Sequence, residues 1–254
     1  MLGVTDNYST NAFSSSDGSA PMFTYRIRIA GTVFEVSTLH RSTRTQCMDY
    51  ITEDEPNYSI VINEQARDAE KDDGGAHHDA FYATVALQHA ISDILLDQDV
   101  LLMHGAVIAI NNSAYMFSAP SGTGKTTHIR HWLKQIDDAF VVNGDKPFVK
   151  LTDTQALACG SPWCGKEYLG SDVMVPLKAI VFLKRSEENR IERLHFMQTY
   201  PLLVSQTYIP NDSYKAKQAL DLIAKLSDKT EFYRFDCNNF KDDCFDVAYN
   251  AIAR

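Results

Sequence analysis

Apolar and polar positions alternate from the start of the ordered pattern: Phe23, Tyr25, Ile27 and Ile29 are separated by Thr24, Arg26 and Arg28. A two-residue period puts the apolar set on one face of a half-buried strand. Gly31 and Thr32 mark a turn, "VFEV" a returning strand, and "SIVI" at Ser59–Ile62 a third, which together predict a small antiparallel sheet over residues 22–75. "EKDDGGAHHD" breaks the pattern as a polar loop. The period then changes. Leu87, Ile91, Ile94 and Leu95 recur at helical spacing. "GAVIAI" and "SAYMFS" read as two strands joined at Asn111 and Asn112, and Ile129, Trp132, Leu133 and Ile136 as the stripe of a following helix. "AFVV" predicts a strand ending in "NGD", and shorter strands are expected around Pro147–Leu151 and Leu157–Cys159. "LKAIVFL" reads as a buried strand. The last third is expected to be mostly helical, with "EFYRF" as a strand between helices and Phe245, Ala248, Tyr249 and Ile252 as a final stripe.

This order of elements predicts an α/β domain over residues 76–254, fronted by the β-rich portion and by a polar segment, 1–21, read as a mobile tail. With 254 residues, 44% of them hydrophobic, the chain is long enough for one large domain or for one domain plus a small appendage. A net charge of −9 with no Lys/Arg cluster argues against nucleic acid as a partner. No apolar run approaches the ~20 residues of a membrane span. The N-terminus does not follow the secretory pattern. The five cysteines have no zinc-site spacing and read as reduced thiols, so a cytoplasmic location is expected.

Between "SAYMFS" and the helix stands "APSGTGKT", a phosphate-loop pattern with Ala119 in place of the usual first glycine. Gly122 and Gly124 permit a backbone that turns consecutive N–H groups toward one point, and the helix aims its positive end there. Ser121, Gly122, Thr123 and Gly124 are the expected cradle. Lys125 adds a full charge for the β- and γ-phosphates, Thr126 a hydroxyl for Mg²⁺, and Thr127 a further contact in the first turn. Strand, loop and helix in this order point to binding of a nucleoside triphosphate.

Transfer needs more than a cradle: an acceptor must be aligned and charge neutralised. Asp145, one helix and one strand beyond the loop, is the candidate base or metal ligand; its other reading is a turn residue in "NGDKP". His104 in "MHGA" is a second candidate, or a hydrogen-bonded core histidine. Lys166 in "GSPWCGKE" faces a phosphate or is an ordinary loop lysine, and Trp163 is expected to pack beneath its loop. His128 and His131, three apart on the helix with no carboxylate beside them, read as surface or ring-packing residues rather than metal ligands.

Taken together, "LLMHGAVIAI", "AYMFSAPSGTGKTTHIRHW", "VVNGDKPFV", "GSPWCGKE" and "LKAIVFL" resemble the HPr kinase-like branch of the phosphoenolpyruvate carboxykinase-type fold, over about Leu101 to Leu183. The resemblance implies a mixed-sheet P-loop core with a helical C-terminal part. It implies ATP and Mg²⁺, and phosphoryl transfer to a serine or threonine hydroxyl. His104 would lie near the transferred phosphate, Lys125 on the phosphates, Thr126 on the metal, and Asp145 would be the base or its metal-binding neighbour. A homo-oligomer is implied as well. The chain departs from the family pattern at Gly144, where the first of two adjacent aspartates is expected, and at Leu157 and Cys159, where a Glu and an Arg precede a glycine. The family's basic loop and separate N-terminal domain are not recognisable. The chain thus resembles a compact relative, and a peptide or small protein is the expected acceptor. A nucleotide-dependent binding module with little transfer, and a kinase of a free small-molecule hydroxyl, are the alternatives.

Overall fold

A computed structural model of the chain describes residues 22–71 and 77–254. The expected tail, 1–21, and the expected boundary at 75/76 both lie outside the described residues. The fold divides into two compact units, Met1–Ile91 and Ser92–Arg254.

In the first unit, β1 (Phe23–Ile29) and β2 (Thr32–Thr38) form an antiparallel hairpin. Its two-residue turn, Ala30–Gly31, has both residues at positive φ, the twist that tight hairpins favour. Helix α1 (Arg41–Gln46) and a short 3₁₀ turn (Met48–Tyr50) lead to β3 (Tyr58–Ile62), then to α2 (Glu64–Asp68) and into α3 (Asp79–Leu96). The strand order is β1-β2-β3, and β3 runs parallel to β2. This corrects the all-antiparallel expectation: the connection over residues 39–57 is long enough to carry the chain back to its starting end. Tyr25, Ile27, Ile29, Phe34, Val36, Ile60 and Ile62 are buried, so the alternation marks the core face of all three strands.

The second unit begins within α3. It contains β4 (Val100–Leu102), β5 (Ala106–Ile110), β6 (Ser113–Ser118), α4 (Lys125–Gln135), β7 (Phe140–Asn143), β8 (Phe148–Leu151), β9 (Ala156–Cys159) and β10 (Met174–Arg185). It continues through β11 (Arg190–Arg193), α5 (Phe196–Ser205), α6 (Ser213–Leu226), β12 (Glu231–Cys237) and α7 (Cys244–Ile252). The nine-stranded mixed sheet has the order β4-β8-β9-β10-β6-β5-β7, with β12 also on β10 and β11 on β12. The long β10 serves two partners in turn. Its first residues pair antiparallel with β9, and the rest lies between β6 and β12, parallel to both. Leu203 of α5 and Leu222, Ile223 and Leu226 of α6 pack on one face of the sheet with Val107, Met116 and Phe182. Ile129 and Trp132 of α4 and Ala248 of α7 pack on the other with Ile108, Phe117 and Val181. Each large apolar side chain so buried contributes about 1.5–3 kcal/mol.

Strand direction decides where the site can form. β5 is antiparallel to both β6 and β7. The start of β5 therefore lies at the edge where β6 and β7 end. β6, β10 and β12 are mutually parallel and end at that edge too.

Candidate functional site

The hairpin β5–β6 turns through Asn111 and Asn112, both left-handed, and β6 delivers the chain to the loop Ala119–Gly124. Gly122 and Gly124 have φ of 78° and 114°, in the region that side chains disfavour, and α4 starts at Lys125. The loop is braced from outside. Asn239 Nδ2, from the segment after β12, donates to the Gly124 carbonyl at 3.3 Å. The Arg185 guanidinium, at the end of β10, donates to the carbonyls of Gly122 and Thr123. Within the loop the Thr123 N–H donates to the Pro120 carbonyl at 3.3 Å.

Lys125 is buried, and its ammonium donates to the Ala119 carbonyl at 2.7 Å and stands 3.1 Å from His104 Nε2. Burial pushes it below the usual lysine range; Asp145 draws it up and Lys146 down again. A partly desolvated ammonium gains from any anion that reaches it.

His104 is pinned at both backbone ends, its N–H donating to the Gln206 carbonyl at 2.7 Å and its carbonyl accepting from Ser118 Oγ at 2.7 Å. Its Nε2 lies 3.2 Å from Asp145 Oδ1. An ammonium has only hydrogens to offer, so the Lys125 contact needs a lone pair on Nε2, whereas the Asp145 contact needs a proton there. One nitrogen serves one partner at a time.

Asp145 is held by its neighbours. Asn143, fully buried, accepts from the N–H groups of Asp145 and Lys146 at 2.8 and 2.7 Å, and its amide donates to Ser161 O and Oγ at 3.0 Å each. Gly105 N donates to the Asp145 carbonyl at 2.9 Å. The Lys146 ammonium is 3.0 Å from Asp145 Oδ2. Burial raises the carboxyl's pKa, but the His104 hydrogen bond and the Lys146 charge outweigh it and hold the group at about 2.

A cleft of about 450 Å³ opens between the start of α4 and the loop Cys164–Leu169. Asp145, Lys166 and the loop residues Ser121, Gly122, Gly124, Lys125, Thr126 and Thr127 line it; Thr123 and His104 do not. Thr123 Oγ1 instead donates back to the Pro120 carbonyl at 2.8 Å. Lys166 is exposed on the cleft wall, beneath which Trp163 is buried against Phe148. Beside it Glu167 pairs with Arg130 at 2.7 Å.

Among the described residues no three His, Cys, Asp or Glu side chains gather into a metal-binding group. Mg²⁺ characteristically takes one or two protein oxygens together with phosphate oxygens and water. The Thr126 hydroxyl and the Asp145 carboxyl, whose pKa is lowered, both line one cleft and are a donor set of that kind.

His128 is fully buried, correcting the surface reading for this residue. Its Nε2 accepts from Trp132 Nε1 at 3.1 Å, so the proton sits on Nδ1, 3.3 Å from Asn239 Oδ1. Burial pushes its pKa down to about 3. His131 Nε2 lies 2.9 Å from the Asn239 carbonyl. The two histidines thus hold the residue that braces Gly124. Asn143, Lys146, Arg185 and Asn239 were not singled out from the sequence. "NGDK" held a signal for the first two, since asparagine ahead of a bend often caps the next N–H groups. Arg185 and Asn239 carry none, for they reach the loop only through the sheet.

No protein-family model matches the chain, and no curated protein does. Among solved structures, the Hpr(Ser) kinase/phosphatase from Coxiella burnetii aligns at a TM-score of 0.35 and 10% identity, covering 59% of this chain and 95% of its own. The likeness is distant. Among the described residues no helix is long and apolar enough to cross a membrane.

Proposed function

We propose that the chain binds a nucleoside triphosphate with Mg²⁺ on the loop 119–127 and transfers the terminal phosphoryl group to a hydroxyl, most naturally of Ser or Thr in a peptide or small protein. The observation that carries the reading is the convergence of Lys125, His104 and Asp145, with 3.1 Å and 3.2 Å between successive side chains. A cation for phosphate, a switchable imidazole and a fixed carboxylate stand at the rim of one glycine-turned loop.

Loop N–H groups and Lys125 would hold the phosphate oxygens. Thr126 and Asp145 would hold the metal, which supplies charge neutralisation on the phosphates. Once phosphate draws the Lys125 ammonium away, His104 Nε2 is free to carry a proton and donate to Asp145. Asp145 accepts the hydrogen bond of the incoming hydroxyl and orients it. Held at about 2, it is a weak proton acceptor, but a loose phosphoryl-transfer transition state asks more for alignment than for basicity. Lys166, on the opposite cleft wall, would meet the moving charge. Residues 22–75 would form a β-rich portion ahead of this domain.

A second reading, a nucleotide-dependent binding module, draws support from one feature: both Asp145 oxygens already have partners, His104 Nε2 on one and the Lys146 ammonium on the other. Mg-ATP labelled on its terminal phosphate, offered with a Ser/Thr peptide pool and separately with small hydroxyl compounds, separates the readings. Labelled peptide supports the proposal. Label on a small compound alone moves the acceptor class. Binding without any labelled product leaves only the module.

A further inference from the structure

We infer that the segments following β10 and β12 form a nucleoside subsite, in which the aromatic base of the nucleotide stacks on Phe240 close to Arg185. This rests on the nucleotide reading above and adds to it where the base goes.

Direction along the sheet comes first. In an open α/β sheet a ligand lies outside the carboxyl ends of the parallel strands. The phosphate loop follows β6. On one side of it, at β5 and β7, stand His104 and Asp145, which take the reacting end of the triphosphate. The rest of the ligand then extends to the other side, where β10 and β12 end in parallel register with Arg185 opposite Cys237.

What stands there is built onto the loop. Arg185 bonds the carbonyls of Gly122 and Thr123. Asn239 bonds the carbonyl of Gly124 and is held in turn by His128 and His131. The next residue, Phe240, is 96% exposed. Its backbone is held all the same. Its N–H donates to Asn238 Oδ1 at 3.0 Å, the Asn238 N–H donates to Asn189 Oδ1 at 2.6 Å, and Asn238 Nδ2 donates to the Glu187 carbonyl at 3.3 Å. Lys241 and Glu188 close the rim with an ion pair at 2.7 Å.

A bare phenyl ring on a laced segment, one residue from the brace of a phosphate loop, has the chemistry of a stacking platform. Every base has a π-face, so such a platform discriminates little among bases. Arg185 adds a planar cation able to meet the ribose side or the innermost phosphate.

Calorimetric titration of the full chain, and of Phe240→Ala and Phe240→Tyr, with Mg-ATP, Mg-GTP and Mg-tripolyphosphate tests the subsite. Tripolyphosphate carries the phosphates without the nucleoside. Phe240→Ala is expected to weaken both nucleotides about 10-fold, to leave tripolyphosphate within about two-fold, and to be rescued by Phe240→Tyr. Unchanged nucleotide affinity in Phe240→Ala overturns the subsite and leaves the nucleotide reading standing. Equal losses for nucleotide and tripolyphosphate overturn it too, since the ring would then act through the loop. A wild-type chain that binds none of the three removes the nucleotide reading and the subsite with it.

Discussion

The carbonyl oxygen of Cys164 lies 2.6 Å from the point that a Cβ on Gly144 would occupy, and the Leu169 carbonyl 3.2 Å from it. Backbone cannot swing aside as a side chain can. The loop carrying Lys166 therefore closes on residue 144 at the cost of any side chain there, and the single carboxylate at Asp145 is a consequence of the packing. Gly165 shows the same economy from the other side: at φ 81°, a Cβ on it would stand 3.1 Å from Asp145 Cβ. Gly144→Asp, which would place a second carboxylate beside Asp145, is expected to lower stability by about 2 kcal/mol or more through overpacking. It should also displace the Cys164–Leu169 loop and not raise transfer. Denaturant midpoints and the labelled-phosphate assay check both, and a Gly144→Asp protein of wild-type stability would refute the packing argument.

Asp145→Asn keeps the shape and removes the charge that His104 and Lys146 face. Transfer should drop about 100-fold or more, while Mg-ATP binding changes by much less, because the loop N–H groups and Lys125 remain. Lys125→Ala is expected to weaken binding and transfer together by roughly 10- to 100-fold, the loss of a charge-assisted contact. Single-turnover rates and calorimetry on the two variants separate the roles.

The pKa of Asp145 lies below its unfolded value, so the folded state favours the anion. That contribution is complete above about pH 4 and is lost only as pH falls toward 2. The pH profile of transfer should accordingly show no limb near pH 4 from this carboxyl. A wild-type activity loss centred near pH 4 that disappears in Asp145→Asn would contradict it.

His128 carries a different pH signature. It is buried neutral with a pKa of about 3 against 6.5 when unfolded. Between those values the unfolded chain binds the extra proton. Stability therefore falls as pH drops from about 6.5 toward 3, at up to roughly 1.4 kcal/mol per pH unit. In His128→Gln the acid limb of urea midpoints should be shallower than in wild type by that contribution.

Asn143 spends all its hydrogen-bonding capacity on the Asp145 turn and Ser161. Asn143→Ala leaves the half-buried Asp145 N–H without its acceptor, while the Lys146 N–H keeps the Trp163 carbonyl at 3.0 Å, and is expected to cost about 1–3 kcal/mol. Where the variant still folds, kcat should fall more than the KM for Mg-ATP rises, because Asp145 and not the loop 119–127 loses its support. Steady-state kinetics on variants compared at equal folded fraction measures that split.

The sequence alone marked the loop and most strands and helices, but not the short helices Arg41–Gln46 and Glu64–Asp68 or the strands Val100–Leu102 and Arg190–Arg193. Alternation at Phe23–Ile29, the helical stripe at Ile129–Ile136 and the glycines of "APSGTGKT" are local patterns, since one or two turns of backbone fix which face a side chain takes. It also offered His104, Lys125, Thr126, Asp145 and Lys166 as candidates, and the fold brings Lys125, His104 and Asp145 into successive contact. Tertiary structure decided the rest. The direction of β3, the doubled pairing of β10, the lock of Asn143 on Ser161 and the braces from Arg185 and Asn239 join residues far apart in the chain. Such contacts arise from strand order, which no local period encodes. Whether residue 144 can bear a side chain depends on a carbonyl twenty positions away, and only the folded sheet brings that carbonyl into place.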